Sequence, residues 1–155
     1  SLCNSVLQAY GKPFRAHHVF DAHQAARAAG LHVAHYFLFA GPGESEQTLA
    51  TSLRRIDRLK KTVLFLFCGM RIYPHTALYE LALQQGQIET DQSILEPVFY
   101  RSPFISVPRA ADMIAAHAKG RRNWVHAGGG EATGNSLERM YRGGFSGPLW
   151  EYLIR

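Results

Sequence analysis

The stretch HVAHYFLFAGPGESEQTLATSLRRIDRLKKTVLFLFCGMRI, residues 32–72, decides the fold class. It begins with an aromatic and apolar run at 32–40 and ends with a second such run at 62–72, and both have the length and composition of strands. Between them, Ser45 can cap a helix whose apolar stripe falls on Leu49, Leu53 and Ile56. Strand, helix, strand is the βαβ pattern, which predicts parallel strands buried between helices.

Helical patterns flank this unit on both sides. The sequence predicts two short helices within residues 1–30, a helix over 76–85 ended by Gly86, and a capped helix over 106–119. Residues 94–102 are predicted to form one short strand, at a sheet edge because Pro97 cannot donate to a central ladder. A short helix is indicated over 136–141. The predicted fold class is therefore α/β, with a βαβα core and additional C-terminal helices.

Length and composition restrict the class of protein. A chain of 155 residues, 46% apolar and 19% charged, fits one ordinary domain and excludes disorder. The net charge of +5 suits acidic partners without requiring one. Cys3 and Cys68 can supply neither a disulfide framework nor a four-ligand metal site, which favours a reducing compartment. No apolar run approaches the roughly 18 residues of a membrane span. We therefore expect a cytoplasmic protein without a membrane span.

The predicted sheet is too small to stand alone. Two parallel strands cannot form a stable sheet with both faces covered, because each strand needs neighbours along its edges. Three solutions are open at this point. The third strand closes the sheet, another copy of the chain supplies the missing edges, or the chain is a piece of a larger α/β barrel.

Several short motifs occur in an order that resembles a known enzyme barrel. They are Lys12 in a Leu, Tyr, Gly, Lys stretch, Ala29-Gly30-Leu31, the GPGES turn at 41–45, RIYPHTAL at 71–78, and Gly86-Gln87-Ile88. Together they resemble the C-terminal half of the catalytic barrel of radical S-adenosylmethionine enzymes, closest to the cobalamin-binding group and including members linked to lipid biosynthesis. The resemblance covers residues 1–105 as part of a (β/α) barrel, with 106–155 as a helical extension packed on it.

The resemblance implies a cofactor platform at two turns. In that family the turn after the fifth barrel strand has the form Gly-x-Ile-x-Gly-x-x-Glu and supports the adenine of S-adenosylmethionine. Phe39 stands here at the apolar position, Gly41 at the second glycine and Glu44 at the acid, while Phe37 replaces the first glycine. The stretch after the sixth strand resembles the family's Tyr-Pro-Gly-Thr, with His75 in place of glycine. The implied cofactor-binding residues are Phe39, Ala40, Gly41, Gly43, Glu44, Arg71 and Ile72.

The family's redox centre has no counterpart in this sequence. Its CxxxCxxC motif holds a 4Fe-4S cluster, whereas the two cysteines here stand 65 positions apart. The resemblance therefore implies a C-terminal part of an enzyme whose N-terminal half would bring the cluster, while this chain alone binds no cofactor and is inactive. The parent enzyme would cleave S-adenosylmethionine reductively, with cobalamin as a further cofactor in the closest group, and would act on a small-molecule or lipid-related substrate.

A second hypothesis assigns no chemistry to the chain. Basic and aromatic residues interleave at Lys119, Arg121, Arg122 and Trp124, as in some nucleic-acid-binding surfaces. A basic binding module for nucleic acid or an acidic protein is thus the alternative function, although no nucleic-acid module surrounds these residues. Neither the charge run from Arg54 to Lys61 nor the Gly128–Gly130 run carries a further motif, and the eight histidines lack metal-ligand spacing.

The sequence also predicts self-association. The two strands expose large side chains on both sides of a sheet that lacks neighbours, and one such buried side chain contributes about 1.5 to 3 kcal/mol. Leaving several of them in water would remove much of a domain's stability. We therefore expect a homo-oligomer of this chain.

Overall fold

The computed structural model describes residues 1–126 and 138–154 of the chain. It is a mixed α/β structure with a small parallel sheet, which confirms the predicted fold class at that level. The elements in chain order are α1 (Asn4–Ala9), α2 (Ala16–Ala28), β1 (Ala34–Phe39), α3 (Glu46–Ile56), β2 (Val63–Cys68), α4 (Ala77–Gln84), α5 (Val107–Ala118), β3 (Trp124–His126) and a 3₁₀ helix (Leu149–Leu153). Residues 138–142 are also helical, whereas 136 and 137 lie outside the described residues.

The sheet has the order β1-β2-β3, and both pairings are parallel. Phe37 pairs with Leu66 and Phe39 with Cys68, so the expected βαβ unit is confirmed. The third strand is not the predicted one. Trp124–His126 pairs with β2, whereas the residues around Phe99 form only an isolated antiparallel bridge to Arg71. The prediction of a strand at 94–102 was therefore wrong.

The two faces of the sheet differ in cover. Phe37, Leu64, Leu66 and Trp124 lie in the main core, which also contains the apolar side chains of α3 and α5. The opposite face carries Tyr36, which is 67% exposed, together with Leu38, Phe65 and Phe67. The expectation that β1 and β2 are buried on both faces was thus wrong for this side. We call these four residues the open face.

Helix ends follow the predicted chemistry. The Ser45 side chain accepts a hydrogen bond from the Thr48 amide at the start of α3, and Ser106 does the same for Arg109 at the start of α5. Gly30, Gly86 and Gly120 all have positive φ just beyond helix ends, where a left-handed residue ends the helix.

Candidate functional site

The candidate site lies at the carboxyl edge of the sheet, where the turns after β1 and β2 meet. Because Phe39 and Cys68 are partners in parallel strands, the segments that follow them emerge side by side. Ligand sites of parallel α/β proteins form at this edge. Residues 40–44 and 69–76 therefore occupy the position from which a platform could act.

The turn after β1 is folded back on itself by one carboxylate. Ala40 has φ of 60° and Gly43 has φ of 72°, which bends the chain tightly. The Glu44 amide donates to the Gly41 carbonyl at 3.2 Å, and Glu44 Oε2 accepts from the Ala40 amide at 2.7 Å. The acid that resembles the family's glutamate thus closes its own turn.

Tyr10 joins this turn from the end of α1. Its hydroxyl donates to Glu44 Oε2 at 3.0 Å and accepts from the Gly41 amide at 3.1 Å. Two backbone amides of the turn, those of Ala40 and Gly41, are therefore satisfied by protein atoms. We call this arrangement of Tyr10, Glu44 and the two amides the Tyr10–Glu44 clamp.

The clamp is buried, and burial dominates its electrostatics. Glu44 has no exposed surface, and loss of solvent raises the pKa of its carboxyl, opposed first by the positive charge of the Ser1 amino group and then by the hydrogen bonds from Tyr10 and Ala40. Burial together with the neighbouring carboxylate also raises the pKa of Tyr10. Cys68 lies close enough that burial, followed by Glu44, raises the pKa of its thiol to about 11. Cys68 is therefore a protonated thiol at neutral pH and not an activated nucleophile.

Gly41 is required by packing within the protein. A Cβ built at this position would lie 2.3 Å from Met70 Sδ and 2.7 Å from Tyr10 Cε1. The close approach that this glycine permits is therefore to the side chains of Met70 and Tyr10, which cover it.

The segment after β2 brings a cation to the same edge. Arg71 Nη2 donates to the Leu95 carbonyl at 3.3 Å, and the guanidinium lies over the Tyr73 ring at 5.0 Å. Arg71 Nε and Glu44 Oε1 are buried, and neither has a hydrogen-bond partner among the described residues. Two polar atoms in the two candidate segments thus retain unused hydrogen-bonding capacity.

A small cavity of about 190 Å³ lies beside the clamp. Its walls are Tyr10 at the end of α1, Pro42 in the turn, Met70 after β2, and Ala77 and Leu78 at the start of α4. Its lining is mostly apolar, as is usual for a site that holds a flat ring.

The seven residues predicted for the cofactor platform have different positions. Phe39, Ala40 and Ile72 are buried, Phe39 and Ala40 in the main core and Ile72 in a second cluster with Tyr100. Only Gly43 is well exposed, and Arg71 is half-buried.

Sequence reasoning missed Tyr10 and Met70, which complete the site. Tyr10 stands within the Leu, Tyr, Gly, Lys stretch of the resemblance but was assigned no role, and the only signal for Met70 was its position directly after the second strand's glycine.

The interleaved basic and aromatic residues have a structural explanation. Trp124 is 8% exposed and belongs to β3, while Arg121 pairs with Asp57 and lies over the Trp124 ring at 4.9 Å. The indole is therefore not available as a stacking platform. The glycine run at 128–130 lies outside the described residues.

Metal-ligand geometry is lacking in the part of the chain that the structure describes. Within it, no three His, Cys, Asp or Glu side chains converge as a metal site would require. The two cysteines are both free, and their number does not fit a 4Fe-4S cluster, which needs three thiolates at CxxxCxxC spacing.

Across residues 1–126 and 138–154, no helix is long and apolar enough to cross a membrane.

Comparisons with known proteins add no relative. The chain matches no protein-family model, no curated protein and no solved structure.

Proposed function

We propose that the chain is the C-terminal part of a radical S-adenosylmethionine catalytic barrel, whose motifs are most similar to those of the cobalamin-binding group. The observation that carries the proposal is the placement of the two motif-bearing turns. The GPGES turn and the segment from Arg71 follow neighbouring parallel strands and meet at the carboxyl edge. Barrel enzymes bind their ligands at this edge.

The winding of the chain fits a barrel segment. Helix α3 connects β1 to β2 and α5 precedes β3, and both contribute to the core on one face of the sheet. Right-handed crossovers between strands added in one direction place their helices on one face, as in every unit of a barrel and in each half of a doubly wound sheet. The open face, with Tyr36 and Phe65 stacked at 4.8 Å, corresponds to the face that would look into such a barrel.

A backbone detail at His75 supports the motif alignment. His75 occupies the glycine position of the family's Tyr-Pro-Gly-Thr stretch, and its φ is 61°. A non-glycine residue in the left-handed region is uncommon and costs roughly 1 kcal/mol. The local conformation is thus the one for which glycine is suited.

The residues at the carboxyl edge fit a part of the cofactor. The apolar cavity beside Pro42 and Met70 could receive the adenine. The Tyr10–Glu44 clamp would hold the turn rigid, and the Tyr10 ring would form part of the wall that faces the adenine. In the whole enzyme, the cofactor bound to its cluster supplies reductive cleavage of the sulfonium. The cysteine set of this chain does not hold that cluster, and we derive no step through it.

The coding sequence upstream of residue 1 provides the deciding test. We expect an open reading frame that continues upstream and encodes CxxxCxxC before further strand and helix units. An upstream frame of barrel length without that motif, or a stop codon directly before residue 1, would overturn the proposal.

A binding test addresses the platform itself. S-adenosylhomocysteine, which cannot be cleaved reductively, is titrated into the ¹⁵N-labelled chain, first alone and then together with the N-terminal half that the upstream frame encodes. We expect no shifts in the chain alone. In the reconstituted pair we expect ligand-dependent amide shifts at residues 39–44 and 70–78, abolished in Ala77→Phe, which fills the cavity, and retained in Ala22→Phe on the exposed side of α2. Shifts located elsewhere, or unchanged in Ala77→Phe, would refute the assigned position.

A further inference from the structure

Two cavities lie at the opposite, amino-terminal edge of the sheet. One, of about 250 Å³, is lined by Phe20, His23, Gln24, Arg27, Arg58 and Lys60. The other, of about 470 Å³, is lined by Lys60 and Lys61 before β2 and by Arg121 and Asn123 before β3, among other residues. Because Lys60 lines both, the cavities adjoin. We call the pair the amino-edge cleft.

The charges of this cleft are poorly balanced within the protein. The first cavity has three cationic side chains and no acidic one in its lining. Other arginines, such as Arg109 with Glu46 and Arg142 with Glu138, have carboxylate partners. Arg58, by contrast, lies over the Phe20 ring at 4.7 Å and forms no ion pair with any described residue. Like charges gathered at one cavity repel each other unless an anion lies between them.

The base of the cleft is fixed by a chain of hydrogen bonds. His23 is buried, and its Nε2 donates to the Lys60 carbonyl at 3.1 Å. Its Nδ1 then accepts from His35 Nε2, also at 3.1 Å, which ties α2 to β1. Arg27 Nη1 reaches the same Lys60 carbonyl at 3.4 Å. The backbone that carries Lys60 is therefore positioned before any ligand arrives, which reduces the ordering cost of binding.

We propose that the amino-edge cleft binds a small ligand with two or more phosphoryl groups. Arginine matches phosphate through paired N–H donors and lysine acts as a compact point charge, so the lining combines both modes of recognition. The second cavity contributes Lys61 and Arg121, although Asp57 offsets part of this charge. Two adjoining cavities that share Lys60 suit two phosphoryl groups joined by a short bridge. This site is separate from the carboxyl edge and does not depend on the function proposed there.

Calorimetric titration of the full chain with inorganic triphosphate at low salt tests this site. We expect saturable binding with one ligand per chain, and a Kd raised about tenfold in Arg58→Ala and in Arg27→Ala. Arg54→Ala is the matched control, because Arg54 is a cation in the last turn of α3, four residues before Arg58, and lines neither cavity. Its Kd is expected to change by less than about twofold.

Three results would overturn the proposal. They are non-saturable binding, an equal loss of affinity in Arg54→Ala, and sulfate binding as tightly as triphosphate. A single-stranded oligonucleotide provides the last discrimination, because an extended backbone follows a basic surface without needing enclosed cavities. If the oligonucleotide binds and triphosphate fails to displace it, the small-ligand assignment is wrong. Displacement by triphosphate is the expected outcome.

Discussion

Removing the Tyr10 hydroxyl should destabilise the fold through the turn after β1. In Tyr10→Phe, Glu44 Oε2 loses the donor at 3.0 Å and the Gly41 amide loses its acceptor at 3.1 Å. Gly41 is buried, so its amide has little access to replacement water. One lost hydrogen bond costs about 0.5 to 1.5 kcal/mol, and a buried group left unsatisfied about 1 to 3 kcal/mol. We therefore expect the free energy of unfolding to fall by about 2 to 4 kcal/mol.

Equilibrium urea unfolding, followed by tryptophan fluorescence and circular dichroism at one fixed protein concentration, measures this loss. Tyr36→Phe is the matched control, because Tyr36 is 67% exposed and has no hydrogen bond to a described residue. It should change stability by less than about 0.5 kcal/mol. A double-mutant cycle with Glu44→Gln should show coupling between the two side chains. Equal losses in Tyr10→Phe and Tyr36→Phe, or simple additivity in the cycle, would refute the clamp.

Three further predictions concern other parts of the molecule. Gly41→Ala should cost about 1 to 3 kcal/mol of unfolding free energy by overpacking against Met70, more than Gly143→Ala, where φ is not positive and the nearest atoms lie 3.3 Å from the added Cβ; equal urea midpoints would contradict this. Burial, reinforced by the neighbouring His23, lowers the pKa of His35 to about 4, so stability present above pH 6.5 should decline as pH falls toward 4. Because the ring is partly exposed, we expect the free energy of unfolding to decline by only about 1 to 2 kcal/mol. His35→Phe should lack this decline, and the same acid profile in the wild-type protein and in His35→Phe would argue against it. The open face should support self-association, so the molar mass measured by light scattering should rise with protein concentration. Tyr36→Glu should have the mass of a monomer, and a wild-type protein that is monomeric at all concentrations would contradict this prediction.

Local pattern was sufficient for the elements that carry their own signal. The stripe on α3 and its Ser45 cap, like the apolar runs of β1 and β2, were predictable because period and end chemistry are both encoded within about 15 residues. The exposure of Tyr36 could not be predicted in this way. An apolar or aromatic residue in a strand carries no information on which face of the sheet the rest of the chain will cover.

Elements that depend on distant partners were not predictable. β3 has only three residues, and its extended conformation depends on pairing with Leu64 and its neighbours. The Tyr10–Glu44 clamp joins positions 34 residues apart. The segment near Phe99 has strand-like composition, yet among the described residues its backbone-to-backbone hydrogen bonds reach only Met70 and Ile72, from the Tyr100 amide to the Met70 carbonyl and from the Ile72 amide to the Val98 carbonyl. Two such bonds make a bridge and not a strand.

The order in which the strands assemble follows from the parallel register. Ala34 pairs with Val63, 29 positions along the chain, whereas Leu64 pairs with Trp124, 60 positions along. Each doubling of a loop adds about 0.6 kcal/mol to its closure entropy, so β3 joins at a greater cost than β2 and has only three residues with which to recover it. Docking of β3 should thus be a late event on the folding pathway. Because Trp124 lies on that strand, its fluorescence, isolated by replacing the other tryptophan in Trp150→Phe, would report the last step of sheet formation, after β1 and β2 are already protected from hydrogen exchange.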